Sequence, residues 1–366
     1  MRVALVHEYL NQYGGAERVL EILCEIFPDA PIYTLVYDEK ATGGVFKDKE
    51  IHTSFIQKIP FSRKHHRAFP LLMPLAVEQF DLSYFDVVIS NAHSFAKGII
   101  TKPHTRHISY CMTPTRFLWD DSHRYVGEFR YSWPVRKLLP LFLNYLRIWD
   151  KEAALRVDEF IANSNFVKTR IKKYYNRDAT VIHPPVEADK YKISNKQDDY
   201  FLMVGRMVPY KKFDLAVKVF NAIEKPLKIV GDGPERKKLE KIARSTSSGQ
   251  AGQNIEFLGL VSDYKMPEIY SKAQALIFPQ EEDFGLVPLE AMASGRPVIA
   301  YRGGGALETI VEGKTGVFFD EQTEIDMVQA IGKFNYTEWD PVQIREHAKK
   351  FDKLVFKQKM VELLTK

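Results

Sequence analysis

Two glutamates eight positions apart, Glu282 and Glu290, sit within EEDFGLVPLEAMASGRPVIA with Gly285 between them. Pro288 suits the first turn of a helix, where its missing N–H costs nothing. Gly295 and Pro297 then end that helix, and PVIAY reads as a buried strand. The spacing predicts a turn carrying Glu282, a helix mouth at Gly285, and Glu290 about one turn further on. Free amides and the dipole at such a mouth attract an anion such as a diphosphate. Carboxylates beside it accept hydrogen bonds from hydroxyls, so the combination suggests sugars carried on a phosphate. Acidic residues also favour helix starts for structural reasons alone. An isolated pair of this spacing is weak; the ordered glycine, apolar face and glycine stop around it strengthen the reading.

Other candidates follow strands. GRMVPYKK places Arg206 and Lys211 after YFLMVG, which ends in Gly205; α/β proteins bind ligands at carboxyl ends of strands, although two solvated cations in a loop fit the same letters. VGDGP, with Gly231, turns after another strand, and FLGLVSDYKMPEIY brings Leu260 and Val261 to a third. Gly14 and Gly15 in GGAER lack the GxGxxG spacing of a dinucleotide fold. They either turn the chain tightly or let backbone approach a ligand. His93 follows the strand DVVISN, where a structural histidine is the more common case.

These residues need elements to hold them. RVALVH, PIYTLVY, DVVISN, HISYC, DEFIANS and ATVIHPP read as strands, and AERVLEILCEIF has helical periodicity. The second half restarts with YFLMVG, PLKIVGDG, IEFLGLV, AQALIFP and PVIAY, separated by helical stretches such as FDLAVKVFNAI. Strand–helix alternation predicts parallel, doubly wound sheets. The run from Val186 to Asp199 is charged and strandless and reads as a linker, and Ser245 to Asn254 as an exposed loop tip. At 366 residues the chain suits two domains. The expected organisation is 1–188, 189–344, and a final helix in 345–366 that packs back on the first domain.

Composition adds exclusions. Hydrophobic residues at 45% and charged residues at 27% are those of an ordinary globular protein. A balance of 52 basic against 47 acidic residues leaves +5, too mild to call for nucleic acid. Two distant cysteines, Cys24 and Cys111, make no disulfide framework or metal cluster, and a reducing compartment fits. The N-terminal apolar run breaks at His7 and Glu8 and reads as a strand rather than a leader. The apolar patch Leu138–Leu146 falls far short of the roughly 20 residues that span a bilayer. A cytoplasmic protein is expected.

The residues quoted so far resemble the retaining glycosyltransferases of family 4, the group 1 enzymes with the GT-B fold. YCMTPTRFLWDD is similar to the Y-C-H-T-P-x-R-Y-x-W-D segment of their O-antigen mannosyltransferase branch, and the likeness extends through FPLLMPLAVEQFDLSYFDVVISN, RVDEFIANSNFVKTRIKKYY and VIHPPV. The resemblance implies two Rossmann-like parallel-sheet domains facing a central cleft. It implies that Gly205, Arg206 and Lys211 hold the donor diphosphate, that Glu282 holds donor-sugar hydroxyls, and that Glu290 holds the ribose. Phe284, Gly285, Leu286, Val287, Gly231 and Val261 would line the donor site, with Gly14 and Gly15 approaching its phosphates. The branch usually has histidine where this chain has Met112, so that side chain's role does not carry over; His93 is the candidate substitute. Arg116 and Trp119 would shape the acceptor side.

The expected activity is transfer of a hexose, with retention, from a nucleoside diphosphate sugar to a glycan or lipid-linked acceptor hydroxyl in surface polysaccharide synthesis. The branch points to mannose from GDP-mannose. Leaving-group charge would fall on fixed cations and helix amides, with no metal or other cofactor. A glycoside hydrolase using the two glutamates as acid and base is the alternative, as is a catalytically weak nucleotide-sugar-binding protein. FIQKIPFSRKHHRAFPLLMPL and WPVRKLLPLFLNYLRIW mix basic, aromatic and apolar residues as interfacial segments do, and as core helices with solvated lysines also do. Contact with the inner membrane face is therefore a further expectation.

Overall fold

The computed structural model describes the chain except residues 66–68, 121–132, 195, 197, 246–253, 336–337 and 366, and omits the side chains of 64 and 133–136. Asp121 and most of the expected loop at Ser245–Asn254 lie outside the described residues. The chain divides into two compact units, Met1–His183 with Lys357–Lys366, and Pro184–Phe356.

The first unit is built on β1 (Val3–Leu10), β2 (Ile32–Tyr37), β3 (Ile51–Thr53), β4 (Val87–Ala92), β5 (Arg106–Cys111), β6 (Glu159–Ala162) and β7 (Ala179–Val181). They form one parallel sheet in the order β3-β2-β1-β4-β5-β6-β7. Strand order reverses between β1 and β4, which makes their carboxyl ends a topological switch point. The first strand does not stop at His7. Both His7 and Glu8 are fully buried inside it, because each finds a partner described below. The short edge strand β3 went unread in the sequence; two of its three residues, His52 and Thr53, are exposed, so no apolar run marks it.

The second unit repeats the scheme with β8 (Phe201–Val204), β9 (Leu227–Val230), β10 (Ile255–Gly259), β11 (Leu276–Phe278), β12 (Val298–Tyr301) and β13 (Gly316–Phe319). Its parallel sheet runs β10-β9-β8-β11-β12-β13, with the reversal between β8 and β11. Side chains alternate between two cores, as the two-residue strand period requires. Phe201 and Met203 pack on one face with helix Phe213–Ile223, while Leu202 packs on the other with helix Leu286–Ala293. The strand β13 was missed in the sequence.

The expected linker is not one. Val186, Ala188 and Tyr191 are buried in the core of the second unit. The Arg345 guanidinium donates to the carbonyls of Ala188 at 2.9 Å, Tyr191 and Ala293. A strandless, charged sequence is here fixed by one arginine and three buried apolar anchors. The division falls at His183–Pro184 instead. The C-terminal helix Lys353–Leu364 ends in the first unit, where Lys357 pairs with Glu25 at 2.6 Å. Both cysteines are free and buried, and burial pushes the Cys24 thiol up to about 12.

Candidate functional site

In the second unit the loops that carry Gly205, Arg206, Lys211, Gly231, Glu282 and Gly285 leave the carboxyl ends of β8, β9 and β11, and Val261 follows β10. The loops there are laced by backbone: Gly205 donates to Val230 O at 2.9 Å, Gly231 to Gly259 O at 2.8 Å, and Met207 to Asp232 O at 2.9 Å. Between Gly205 and Gly231 this closeness depends on the missing side chain. Gly231 has φ +127°, and a Cβ on it would overlap the Gly205 carbonyl. Gly205 has φ +149°, with the Lys211 ammonium where its Cβ would point.

Lys211 ends a 3₁₀ turn, Pro209–Lys211, after β8. Its Nζ lies 2.6 Å from Glu282 Oε1, which comes from the loop after β11; both side chains are largely buried. Gln280, itself buried, donates to the same oxygen at 3.3 Å. These two loops flank the switch point, so the strand order itself brings cation and carboxylate together. Arg206 is exposed, on the same loop as Lys211.

Gly285, at φ +92°, caps the helix Leu286–Ala293. Backbone amides of the first helical turn have no partner within the helix, so the mouth presents donors beside Glu282. Leu286 and Val287 pack partly on the core and offer their backbone at this mouth. Phe284 departs from the expectation: its ring is buried against Phe351 at 6.0 Å, so its side chain packs the core and does not line the mouth. Glu290 lies at the fifth helical position, where Tyr270 O–H donates to its Oε2 at 2.6 Å. Tyr270 is fully buried and was not singled out in the sequence, where it looks like one more apolar residue of a helix. Gly304 and Gly305 press against Glu282 and Phe284 too closely for any Cβ, and Gly305 N–H donates to Glu282 O at 2.8 Å. Val261 packs against the same core just beyond β10, while Leu260 is exposed.

In the first unit Gly14 caps the helix Gly15–Ile26, and its N–H donates to Glu17 Oε2 at 2.8 Å. The other Glu17 oxygen is 3.4 Å from His7 Nε2. Burial alone would raise the Glu17 carboxyl, but the bond to His7 and its charge outweigh it and hold the group below its ordinary range. Glu8, on the same strand, accepts through Oε1 from the backbone of His93 at 3.1 Å, Ser94, and Ala96 at 3.2 Å. Its Oε2 lies 3.0 Å from His93 Nε2, an electrostatic contact with the ring N–H off line. His93 thus leaves β4 held by a buried carboxylate, with its ring a third exposed. Met112 leaves the neighbouring strand β5 beside it, donating to Ala92 O at 2.7 Å.

The segment after Met112 is held by Asp150 on helix Trp133–Leu155. This buried carboxylate accepts from Lys97 Nζ at 2.5 Å, Thr115 Oγ1 at 2.6 Å, Trp119 Nε1 at 2.8 Å and Tyr175 O–H at 2.9 Å. Trp119 stacks on Tyr174 at 5.0 Å. Its indole is a structural member of this network, and Arg116 lies half-buried on the same turn. Glu8, Glu17 and Asp150 escaped sequence reading because a buried carboxylate is recognisable only through its donors.

Comparison with known proteins gives two adjoining family matches. Residues 186–351 match the family described as glycosyl transferases group 1, and 13–190 the one described as glycosyltransferase family 4. An uncharacterized glycosyltransferase of Methanocaldococcus jannaschii is 30% identical over 57% of this chain and 58% of its own length. The chain therefore spans less than two thirds of that relative. An alpha-1,3/1,6-mannosyltransferase of Dictyostelium discoideum is 27% identical over 91% of this chain and 89% of its own. An O-antigen chain mannosyltransferase of Salmonella typhimurium is 30% identical over 42% of this chain and 45% of its own. Among solved structures, Anabaena HepE in complex with UDP and glucose superposes with a TM-score of 0.74 at 17% identity, covering 100% of this chain and 99% of that one. At that identity the likeness shows the fold, GT-B, with two Rossmann-like parallel-sheet domains.

Proposed function

Because the chain belongs to the group 1 glycosyltransferases of family 4, we propose that it transfers a hexose from a nucleoside diphosphate sugar to a hydroxyl of a glycan or lipid-linked acceptor, with retention at the anomeric carbon. The observation that carries this reading is the 2.6 Å contact between Lys211 and Glu282 at the mouth of helix Leu286–Ala293. A phosphate ligand and a hydroxyl ligand stand side by side there, as a sugar and a phosphate sharing one bridging oxygen require.

In the proposed step the acceptor oxygen attacks the anomeric carbon from the face the diphosphate leaves. The carbon–phosphate-oxygen bond breaks, the new glycosidic bond forms, and the departing diphosphate takes the acceptor's proton. Arg206, Lys211 and the amides after Gly285 stabilise the growing negative charge without reorganising. The fork of Arg206 suits two phosphate oxygens, and Lys211 acts as a point charge. Glu282 holds donor-sugar hydroxyls. Glu290, oriented by Tyr270, holds the ribose. His93, backed by Glu8, supplies the hydrogen bond that Met112 cannot. Arg116 serves the acceptor. The scheme meets leaving-group charge with side chains and amides, so no metal has a part in it.

The mannosyltransferase relatives support mannose as the transferred sugar; we infer GDP-mannose as its donor, and place the reaction in surface polysaccharide synthesis on the cytoplasmic side, at the inner membrane face, as part of the same proposal. HepE binds UDP, so the base is the point to test. Thermal stabilisation by GDP, UDP, ADP and dTDP, then by the matching nucleotide sugars, should single out GDP and GDP-mannose. Stabilisation by UDP alone would overturn the mannose reading. An inverted anomeric configuration in the product would overturn retention, and sugar release without nucleotide dependence would make the chain a hydrolase.

A further inference from the structure

Consecutive residues of a strand face opposite sides of the sheet, and the carboxyl end of β1 serves two loops in this way. His7 turns to Glu17 on helix Gly15–Ile26. Glu8 turns the other way, to the loop that leaves β4. That loop starts two residues beyond Asn91, the partner of His7 in the sheet. A fully buried carboxylate persists only where donors compensate it. Glu8 Oε1 has the backbone amides of His93, Ser94 and Ala96. Glu8 Oε2 is buried without a linear hydrogen bond among the described residues, and His93 Nε2 lies 3.0 Å from it.

That distance assigns the ring proton. An unprotonated Nε2 would set its lone pair against those of a carboxylate oxygen, and two acceptors so placed repel. A protonated Nε2 brings a polar hydrogen toward the carboxylate charge, even off line. One nitrogen of a neutral imidazole donates and the other accepts, so Nδ1 is left as the acceptor. The ring is held on other sides as well. Tyr9, the next residue of β1, meets it edge to face, with centroids 6.2 Å apart. The Lys97 ammonium donates to Ser94 O and, at 2.5 Å, to Asp150 Oδ1, which ties the far end of the loop to helix Trp133–Leu155. The main chain is thus pinned on both sides of a ring that is still a third exposed.

We propose that Glu8 is the positioning residue of His93: it keeps the ring proton on Nε2 and so makes Nδ1 an acceptor for a substrate hydroxyl. The inference rests on the reading of His93 as a ligand of the transferred sugar. It adds the direction of that hydrogen bond, which runs from the hydroxyl to the ring, and names the buried group that sets it.

The test is the ¹⁵N spectrum of the full chain with labelled histidine rings, taken at alkaline pH, where an imidazole is ordinarily neutral. His93 is assigned by its loss in His93→Ala, and wild type should carry the proton on Nε2. Glu8→Gln keeps an oxygen for the three amides but sets an NH₂ beside Nε2, which must then accept, so the proton should move to Nδ1. Turnover of the nucleotide sugar should fall about tenfold or more. Affinity for the nucleoside diphosphate alone, which the proposed scheme holds in the second unit, should keep its wild-type value. A carboxylate that only capped the loop would matter with or without the ring; one that acts through the ring would not. Adding Glu8→Gln to His93→Ala should therefore lower turnover no further. A wild-type ring protonated on Nδ1 overturns the proposal, and so does a full Glu8→Gln loss in the His93→Ala background. The first of these results needs no variant of Glu8, so it decides even if Glu8→Gln does not fold. A wild type with the Nε2 proton that turns over no nucleotide sugar defeats the transferase reading and leaves the hold of Glu8 on the ring standing.

Discussion

Lys211 and Glu282 lie 2.6 Å apart at the carboxyl ends of two strands that are adjacent in the sheet but distant in the chain. In the proposed scheme the pair joins a phosphate-binding cation to a hydroxyl-binding carboxylate at one end of a helix. Removing the cation should therefore act on the transition state. Lys211→Ala is expected to lower turnover by roughly 10²-fold or more, the scale of a lost oxyanion stabiliser. Because the partners touch, adding Glu282→Gln should cost less than the product of the single effects. Steady-state rates for both single variants and the double variant check this, and near wild-type turnover for Lys211→Ala removes it from the mechanism.

In the proposed scheme Tyr270 acts through Glu290. Tyr270→Phe deletes the hydroxyl that donates at 2.6 Å and keeps the buried ring. The nucleotide should then bind several-fold more weakly, on the scale of roughly 1 kcal/mol for one hydrogen bond, with kcat little altered. Calorimetric titration of the nucleotide reads the change. An equal loss in kcat and none in affinity would place Tyr270 elsewhere in the reaction.

Gly231→Ala should destabilise the fold by about 1–3 kcal/mol, the usual cost of forced backbone strain. The new Cβ meets the Gly205 carbonyl at a backbone conformation that L residues rarely adopt. Urea unfolding measures it, and an unchanged midpoint would mean the two loops can part freely.

Asp150→Asn leaves the buried Lys97 ammonium without its counter-ion. A loss of about 3–5 kcal/mol is expected, as for other broken buried pairs. Replacing both partners by apolar residues should cost less. Equal losses would show that the hydrogen bonds to Trp119 and Tyr175 carry the stability instead.

His107 is buried with Ser90 Oγ 2.9 Å from its Nε2. Burial, with a smaller contribution from Arg156, pushes its pKa down to about 3. The unfolded chain binds a proton near pH 6.5 that the folded chain refuses. Stability should therefore fall as pH drops from about 6.5 toward 3, with a limiting slope of about 1.4 kcal/mol per pH unit from this group. His107→Asn should flatten the wild-type curve in that window. Parallel curves for the two proteins would assign the acid loss to other groups.

Much of the second unit was legible in the letters. Strand–helix alternation, Gly285 before Pro288 and the stop at Gly295 each act over a few residues, so their signal is local. Val186–Asp199 was misread because its anchoring depends on Arg345, far along the chain. Phe284 was assigned to the ligand because its neighbours were, although its ring turns to Phe351. The strands β3 and β13 went unread, although strands just as short, such as β7 and β11, were read.

What the sequence determined alone was the set of parts: two alternating α/β halves, a helix mouth at Gly285, cations after β8 and carboxylates around the mouth. Local periodicity and turn chemistry suffice for that. Only the tertiary structure decided which parts meet. The reversal of strand order sets Lys211 beside Glu282, and packing sets Tyr270 on Glu290 and Glu8 behind His93. Such pairings follow from strand order and close packing, which bring together residues that no short stretch of sequence contains.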